Sequence, residues 1–264
     1  DPDDFPSVPV GEFKSLGHWS LDLIRKLQSQ VAYASKDELK PAMTGVYVHQ
    51  NGKMETCATD GHVMRLMEDA SLGLNLKLKG SFKGVIPIKA LMVLSKSVKG
   101  SVPVMATDKH MKFNLNGIDF FVRLIDEKYP DFRSVIPEEF MGSVLLDTAK
   151  LSDLVKDAKP FVFGDSKQGN FDIGSAGVDL HVNNPEKEIQ WDASLVALNQ
   201  SGSEIKIGLN VHYLEKILKG ITEKELTWEY SSPVSASILK GQNEESQITH
   251  LIMPVRIKET SHGE

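Results

Sequence analysis

The stretch SLDLIRKL, residues 20–27, is the first of four short amphipathic segments that divide the chain into quarters. The segments start near Ser20, Pro87, Thr148 and Asn210, which gives spacings of 67, 61 and 62 residues. Each segment carries apolar side chains at the intervals of a helix with one buried face. Several strand-like runs follow each one. Spacing this even predicts an internal repeat, in which one helix and a few antiparallel strands form each unit.

Turn signals separate the predicted strands and divide the chain into two halves. Asn51-Gly52 and Asn116-Gly117 each lie between two alternating runs and predict hairpin turns. The prolines of Tyr129-Pro130-Asp131 and Ile136-Pro137 break the pattern, which places a domain boundary near residues 138–141. We expect residues 1–17 to start irregularly. The predicted organisation is a linker at 1–9, two similar α+β domains at 10–139 and 140–258, and a tail at 259–264.

The four segments differ in charge from the rest of the chain. Their ten basic side chains against four carboxylates give them a net charge of +6, in a chain of net charge −6. Basic helices on an acidic body predict a surface for a polyanion, and phosphate contacts would hold duplex DNA without reading its bases. The simpler alternative is that these lysines only form the solvent-exposed faces of amphipathic helices and bind nothing. The DNA-facing candidates are Arg25, Lys26, Lys89, Lys96, Lys99, Lys150, Lys156, Lys159, Lys216 and Lys219.

Composition excludes several classes of protein. The 264 residues are 41% hydrophobic, yet no apolar run reaches the roughly 18 residues that a membrane span needs. Cys57 is the only cysteine, so an intrachain disulfide and a cysteine-rich zinc site are both impossible. We expect a cytoplasmic protein without cofactor or metal. The chain opens without Met on Asp-Pro-Asp-Asp-Phe-Pro, which reads like an interdomain linker and suggests a fragment of a longer protein.

Several motifs resemble the bacterial sliding clamp, the DNA polymerase III beta subunit. They occur in that family's order over roughly residues 5–258. Those similar to its middle domain are Glu38–Val46, Ala58–His62, Tyr129–Phe132 and Val135–Pro137. Those similar to its C-terminal domain are Asn183–Glu186, Ile207–Val211 and Leu251–Ile257. The resemblance implies the DNA-clamp fold, with two helices on the inner face of antiparallel sheets in each of two similar domains.

The resemblance also implies a function and partners. Clamps of this family have three domains per chain, and two chains form a closed ring around duplex DNA. The first domain would then be absent here. Such clamps are not enzymes. They tether the DNA polymerase III alpha subunit and bind the clamp loader and other proteins that carry a clamp-binding peptide, which often begins with Gln and ends in hydrophobic residues.

By the same resemblance, partner peptides insert into a groove between the middle and last domains. Aliphatic and Met side chains would form an adaptable apolar slot, and a few polar groups would fix the peptide. Met253 and Pro254 are expected to form its central wall. Without the resemblance, Leu251–Val255 would simply be a core strand. The predicted groove residues are Lys40, Met43, Thr59, Gly61, His62, Met64, Pro130, Val135, Asn210, Tyr213, Leu251, Ile252, Met253, Pro254, Val255 and Arg256.

Two further features follow from the matching. Val63 and Ser134 stand where family members often have arginine, so a less basic groove is expected. The apolar run Pro160, Phe161, Val162 and Phe163 falls where the last domain meets the neighbouring protomer of the ring. A buried strand start is the alternative for that run.

Three rival functions remain open at this point. An enzyme could use Asp60 and His62, although Gly61 between them suggests a turn and no catalytic motif accompanies them. A complete two-domain clamp could close as a trimer, since the length fits. A protein-binding scaffold would keep the groove but would not raise polymerase processivity.

Overall fold

The computed structural model describes residues 7–68, 78–184, 188–242 and 247–257. It divides into two compact units. The first contains residues 1–60 and 66–130, and the second contains residues 61–65 and 131–264. The expected tail at 259–264 and most of the expected linker lie outside the described residues, and so does the start of the strand expected near 77–82.

The first unit alternates strands with two helices. Its strands are β1 (Lys14–Ser20), β2 (Gly45–Asn51), β3 (Lys53–Thr59), β5 (Ser81–Pro87), β6 (Ser101–Ala106), β7 (His110–Leu115) and β8 (Ile118–Arg123). Its helices are α1 (Leu21–Ser29) and α2 (Ile88–Ser97), with 3-10 turns at Gln30–Tyr33 and Pro41–Thr44. The boundary between the units runs through β4 (Val63–Met67), whose first three residues belong to the second unit.

The second unit repeats this order. Its strands are β9 (Gly142–Asp147), β10 (Gln168–Gly174), β11 (Gly177–Asn184), β12 (Ile189–Val196), β13 (Asn199–Gly202), β14 (Ile205–Asn210), β15 (Glu225–Tyr230), β16 (Ser237–Gly241) and β17 (Ile248–Ile252). Its helices are α3 (Thr148–Ala158) and α4 (Val211–Leu218), with 3-10 turns at Phe132–Val135 and Lys159–Phe161. In all four repeats a strand leads directly into a helix, and at least three strands follow it.

The two repeats of each unit exchange their first strands. In the first unit β1 pairs with β6, and β5 pairs with β2. In the second unit β9 pairs with β15, and β14 pairs with β10. All of these pairs are antiparallel. Neither repeat can therefore complete its sheet alone, which explains why the repeats occur in twos. This arrangement confirms the predicted fold class of two similar α+β domains.

Each helix buries the apolar face that its sequence predicts. In α1 these side chains are Leu23, Ile24 and Leu27, and in α3 they are Leu151, Leu154, Val155 and Ala158. Within each unit the two helices contact each other. The Ser20 hydroxyl accepts a hydrogen bond from the amide of Leu23, and this cap fixes the start of α1. The basic side chains thus lie on the faces opposite the core.

A tryptophan and a phenylalanine form an edge-to-face pair in the core of each unit. The ring centroids of Trp19 and Phe113 are 5.7 Å apart in the first unit. Those of Phe171 and Trp228 are 5.4 Å apart in the second. These four side chains are completely buried. Aromatic pairs in this geometry add about 1 kcal/mol to the free energy of burial, so each pair anchors one strand-exchanged core.

Some predicted boundaries were wrong. Strand β1, which begins at Lys14 and pairs with β6 more than 80 residues away, was not predicted. The second helix was expected to hold Pro87 in its first turn and to end at Gly100. Instead, Pro87 is the N-cap residue that precedes α2, and α2 ends at Ser97. Strand β13 was not predicted. In the part of the chain that the structure describes, no helix has the length and apolarity that a membrane span requires.

Candidate functional site

The segment after β17 is held at the surface of the second unit by two backbone hydrogen bonds. Leu251 and Ile252 end the strand and are buried, whereas Met253, Pro254 and Val255 are half-buried. The amide of Met253 donates to the carbonyl oxygen of His62 at 2.8 Å, and the amide of Val255 donates to that of Gly208 at 2.7 Å. Proline has no amide hydrogen, so Pro254 between them leaves no donor unsatisfied. We call residues Met253–Arg256 the terminal segment.

Gly208 lies in close contact with the terminal segment, although it is not among the predicted groove residues. A Cβ at this position would lie 2.5 Å from the carbonyl oxygen of Val255. Any side chain at Gly208 would therefore push the terminal segment away from β14. A glycine inside a predicted strand, here in the run Ile207-Gly208-Leu209, is a recognised signal of such a close backbone approach.

His62, whose carbonyl oxygen binds the terminal segment, also forms an aromatic pair with Tyr213. The rings of His62 and Tyr213 stack with centroids 5.4 Å apart and an angle of 16° between their planes. The ammonium of Lys216 lies 4.9 Å from the centroid of Tyr213. His62 itself is exposed and follows Gly61, whose φ of +93° forms the turn expected there. His62 thus touches both the terminal segment, through its carbonyl, and α4, through its ring.

Asn210 fixes the start of α4. Its side-chain oxygen accepts hydrogen bonds from the amides of His212 at 3.0 Å and Tyr213 at 3.1 Å, as its sequence position predicts. The cap therefore sets the position of the Tyr213 backbone and of the ring that stacks on His62.

We expect Asn210→Ala to destabilise the protein by about 1 kcal/mol, because two amides of the first turn lose their acceptor. Urea unfolding followed by circular dichroism measures this loss. Asn210→Ser is the matched control, since a serine hydroxyl can still cap, and it should recover most of the stability. Equal stability of the alanine variant and the unaltered chain would contradict the role of the cap.

The predicted groove residues divide by exposure. Val135 is 46% exposed, and Arg256 is also exposed. Met64, Leu251 and Ile252 are at most 2% exposed. These three side chains lie in the core, and their place in the groove stays a prediction from the family resemblance. Val63 is buried as well, at 1% exposure, so it contributes no surface character of its own.

The groove candidates of the first unit lie at chain turns. Lys40 is exposed and precedes the 3-10 turn that contains half-buried Met43. Thr59 ends β3 and is 8% exposed, and Pro130 is half-buried. Beside them Tyr129 is buried, and its hydroxyl donates to the carbonyl oxygen of Cys57 at 3.3 Å. Burial raises the pKa of Tyr129 above its ordinary range, so the hydroxyl stays protonated as a donor.

The basic side chains of the first unit are mostly unneutralised. Arg25, Lys89, Lys96 and Lys99 are exposed, and none of them forms an ion pair within the described ranges. Lys26 pairs with Asp22 at 3.0 Å along α1. These helices therefore keep most of the positive charge that their sequence predicts.

The second unit neutralises more of its basic side chains. Lys156 pairs with Asp153 at 3.2 Å, and Glu215 pairs with both Lys159 at 2.8 Å and Lys219 at 2.9 Å. Partial burial raises the pKa of the Glu215 carboxyl, but the hydrogen bonds from Lys159 and Lys219 outweigh burial and leave the pKa below its ordinary value. Glu215 is thus a carboxylate at neutral pH. Lys150 is exposed, without an ion pair in the described part of the chain.

The predicted ring-interface run is only partly at the surface. Val162 is 4% exposed and belongs to the core of the second unit, so its side chain cannot contact a partner in this conformation. Pro160 is exposed, and Phe161 and Phe163 are half-buried. Phe161 stacks on Trp191 with ring centroids 5.7 Å apart. Three of the four residues remain accessible.

Two family models cover most of the chain. The model for the central domain of the DNA polymerase III beta subunit matches residues 20–131, and the model for the C-terminal domain of the same protein matches residues 133–256. The chain belongs to the DNA polymerase III beta subunit family. The resemblance inferred from the sequence is confirmed, and the fold is that of the sliding clamps.

Individual members of the sliding-clamp family agree with this assignment. The beta sliding clamp of Bacillus subtilis is 26% identical over 267 residues, which are 97% of this chain and 68% of that relative. The crystal structure of the beta subunit from Streptococcus pyogenes has a TM-score of 0.88 at 26% identity, over 97% of this chain and 70% of that one. The beta subunit of Thermotoga maritima has the same TM-score at 19% identity, which shows the shared fold alone.

The enzyme alternative gains no support from the geometry. The ring of His62 is stacked on Tyr213, which suits packing against a partner better than proton transfer. Among the described residues, no group of three or more His, Cys, Asp or Glu side chains could hold a metal ion.

Proposed function

We propose that this chain acts as a non-catalytic processivity factor, which encircles duplex DNA and docks partner peptides on the terminal segment of its second unit. The observation that carries the peptide site is the partly exposed segment Met253–Val255, whose backbone is held by the carbonyl oxygens of His62 and Gly208. A thioether and a proline ring on a fixed backbone form a surface that adapts to different apolar side chains.

The neighbouring residues suit the polar part of such a peptide. Tyr213 and His62 offer amphipathic rings, and Arg256 is exposed at the end of the segment. A few polar groups beside an apolar slot fix the orientation of a bound peptide. The membership of Lys40, Met43, Thr59 and Pro130 in the same groove stays a prediction from the family resemblance.

The proposed DNA contact rests on the basic helix faces. Arg25, Lys89, Lys96 and Lys99 extend from α1, α2 and the turn after α2 with their charge unneutralised. Such side chains contact phosphates without reading sequence, which suits a protein that must move along any duplex. The proposed partners are double-stranded DNA, the DNA polymerase III alpha subunit and the clamp loader, in the cytoplasm.

The proposed ring needs a second chain. In the homodimer that the family resemblance implies, Pro160, Phe161 and Phe163 would contact the neighbouring protomer, and their partial exposure is compatible with this role. Val162 would act from the core by supporting the turn that carries them.

A peptide of the form Gln-Leu-x-Leu-Phe should bind the chain with a micromolar dissociation constant, or about −7 to −9 kcal/mol, as expected for a short peptide in a shallow groove. Isothermal titration calorimetry measures this directly. A peptide with the same composition in scrambled order is the control and should not bind measurably. Equal affinity for the two peptides, or no binding of either, would refute the peptide site.

A further inference from the structure

Glu215 joins the ends of two helices through their last lysines. Lys159 is the C-cap residue of α3, and Lys219 is the C-cap residue of α4. The two carboxylate oxygens of Glu215 are divided between them, with Oε2 2.8 Å from the ammonium of Lys159 and Oε1 2.9 Å from that of Lys219. Both lysines also lie where a helix dipole places partial negative charge. Three charged groups therefore contribute a net charge of only +1.

Burial makes this cluster different from an ordinary surface ion pair. The Glu215 side chain is 12% exposed, whereas the Asp153 side chain, which pairs with Lys156, is 71% exposed. An exposed ion pair contributes little free energy because water solvates both of its charges. Lys156 can therefore leave Asp153 and contact a phosphate instead. The side chains of Lys159 and Lys219 are 31% and 65% exposed, but the departure of either one would leave the largely buried Glu215 carboxylate with a lost partner and little water to replace it. Lys159 and Lys219 are therefore less available to a phosphate than their positions in the sequence suggest.

We infer that Glu215 is an attenuating residue of the DNA contact, which withholds Lys159 and Lys219 from phosphates and leaves the contact of the second unit to Lys150 and Lys156. This inference rests on the proposed DNA-facing role of the helices. Fewer phosphate contacts on the DNA-facing surface favour sliding, because each contact must break before the protein can move along the duplex.

The test is the salt dependence of duplex binding by the full chain. A fluorescein-labelled duplex of about 30 base pairs, long enough to span several helical turns, is titrated between about 50 and about 200 mM salt, and anisotropy gives the association constant. Glu215→Gln should bind more tightly, by about tenfold at the lowest salt. Its plot of log affinity against log salt should steepen by about 1.8, which corresponds to two additional phosphate contacts.

Asp153→Asn is the matched control, because it changes the net charge equally but releases a lysine that is already available. It should raise affinity by no more than about twofold and leave the slope nearly unchanged. The inference would be overturned if the two variants had equal effects or if Glu215→Gln bound the duplex more weakly than the unaltered chain. It would also be overturned if neither Glu215→Gln nor the unaltered chain bound the duplex detectably. Weaker binding would show that Glu215 instead orients the lysines toward DNA.

A second variant keeps the test decisive if Glu215→Gln fails to fold. Removing all three charges, as Glu215→Gln with Lys159→Gln and Lys219→Gln, should leave the slope within about half a unit of the unaltered chain. Lys89→Gln with Lys96→Gln should lower the slope by about 1.8. A large loss in the triple variant would refute the attenuating role alone. An unchanged slope in the Lys89 and Lys96 variant would refute the proposed DNA-facing surface itself, and peptide binding would be unaffected in both cases.

Discussion

Replacing Met253 and Pro254 together by alanine should weaken binding of a Gln-Leu-x-Leu-Phe peptide about thirtyfold, or about 2 kcal/mol. The two side chains supply the half-exposed apolar surface of the terminal segment. Their truncation removes several methylene-sized groups from the contact, each worth about 0.8 kcal/mol when buried, while the backbone hydrogen bonds of Met253 and Val255 remain. Calorimetry with the unaltered chain as reference gives the difference.

The matched control is Val196→Ala, which truncates an apolar side chain that is 78% exposed at the end of β12, the edge strand on the far side of its sheet from β14. It should leave the affinity unchanged. Both variants should unfold at nearly the temperature of the unaltered chain, because none of the altered side chains lies in the core. Undiminished peptide binding by the Met253 and Pro254 variant would show that the peptide docks elsewhere.

Acid should destabilise the protein through His250 before its carboxylates titrate. His250 is 1% exposed on β17. Burial, together with the positive charge of Arg65, holds its pKa well below the ordinary value of 6.5. Below about pH 6.5 the unfolded chain takes up a proton that the folded chain refuses. The free energy of unfolding should therefore fall by up to about 1.4 kcal/mol per pH unit, or about 2 kcal/mol between pH 6.5 and 5.

His250→Leu isolates this contribution, since leucine fills the site without titrating. Urea unfolding at several pH values should show a shallower decline for the variant than for the unaltered chain over the same interval. His212, whose pKa is also lowered by burial and by Lys159 and Lys167, acts in the same direction in both proteins and cancels in the comparison. Parallel pH profiles of the two proteins would mean that His250 is protonated in the fold.

The sequence predicts the repeat and the helices well, because both depend on local periodicity. The caps at Ser20 and Asn210 bind amides only two or three residues away, and the apolar stripe of each helix repeats every three or four residues. The position of these helices in the chain and the face that each one buries therefore follow from local spacing. The exchange of β1 and β5 between repeats does not follow from spacing, since each pairing joins segments that are far apart in the chain. Strand β1 was missed for this reason.

The sequence indicates the region of the candidate site, but it does not indicate which side chains of that region reach the surface. Leu251 and Ile252 are adjacent in a strand that is buried on both faces, so alternation cannot tell which side chain reaches the surface. Within the segment that the resemblance indicates, Met253, Pro254 and Val255 are half-buried and Arg256 is exposed. The ion pair between Lys159 and Glu215 joins residues 56 positions apart, and a count of charges along the helices could not reveal it.

The most direct measurement is photo-crosslinking of a Gln-Leu-x-Leu-Phe peptide whose last residue carries a photoreactive group, followed by mass spectrometry of the labelled chain. The account predicts label on the terminal segment Met253–Arg256 and on His62 or Tyr213, which the unlabelled peptide competes away. Competable label confined to other surfaces, such as β12 at the far edge of its sheet from β14, would contradict it.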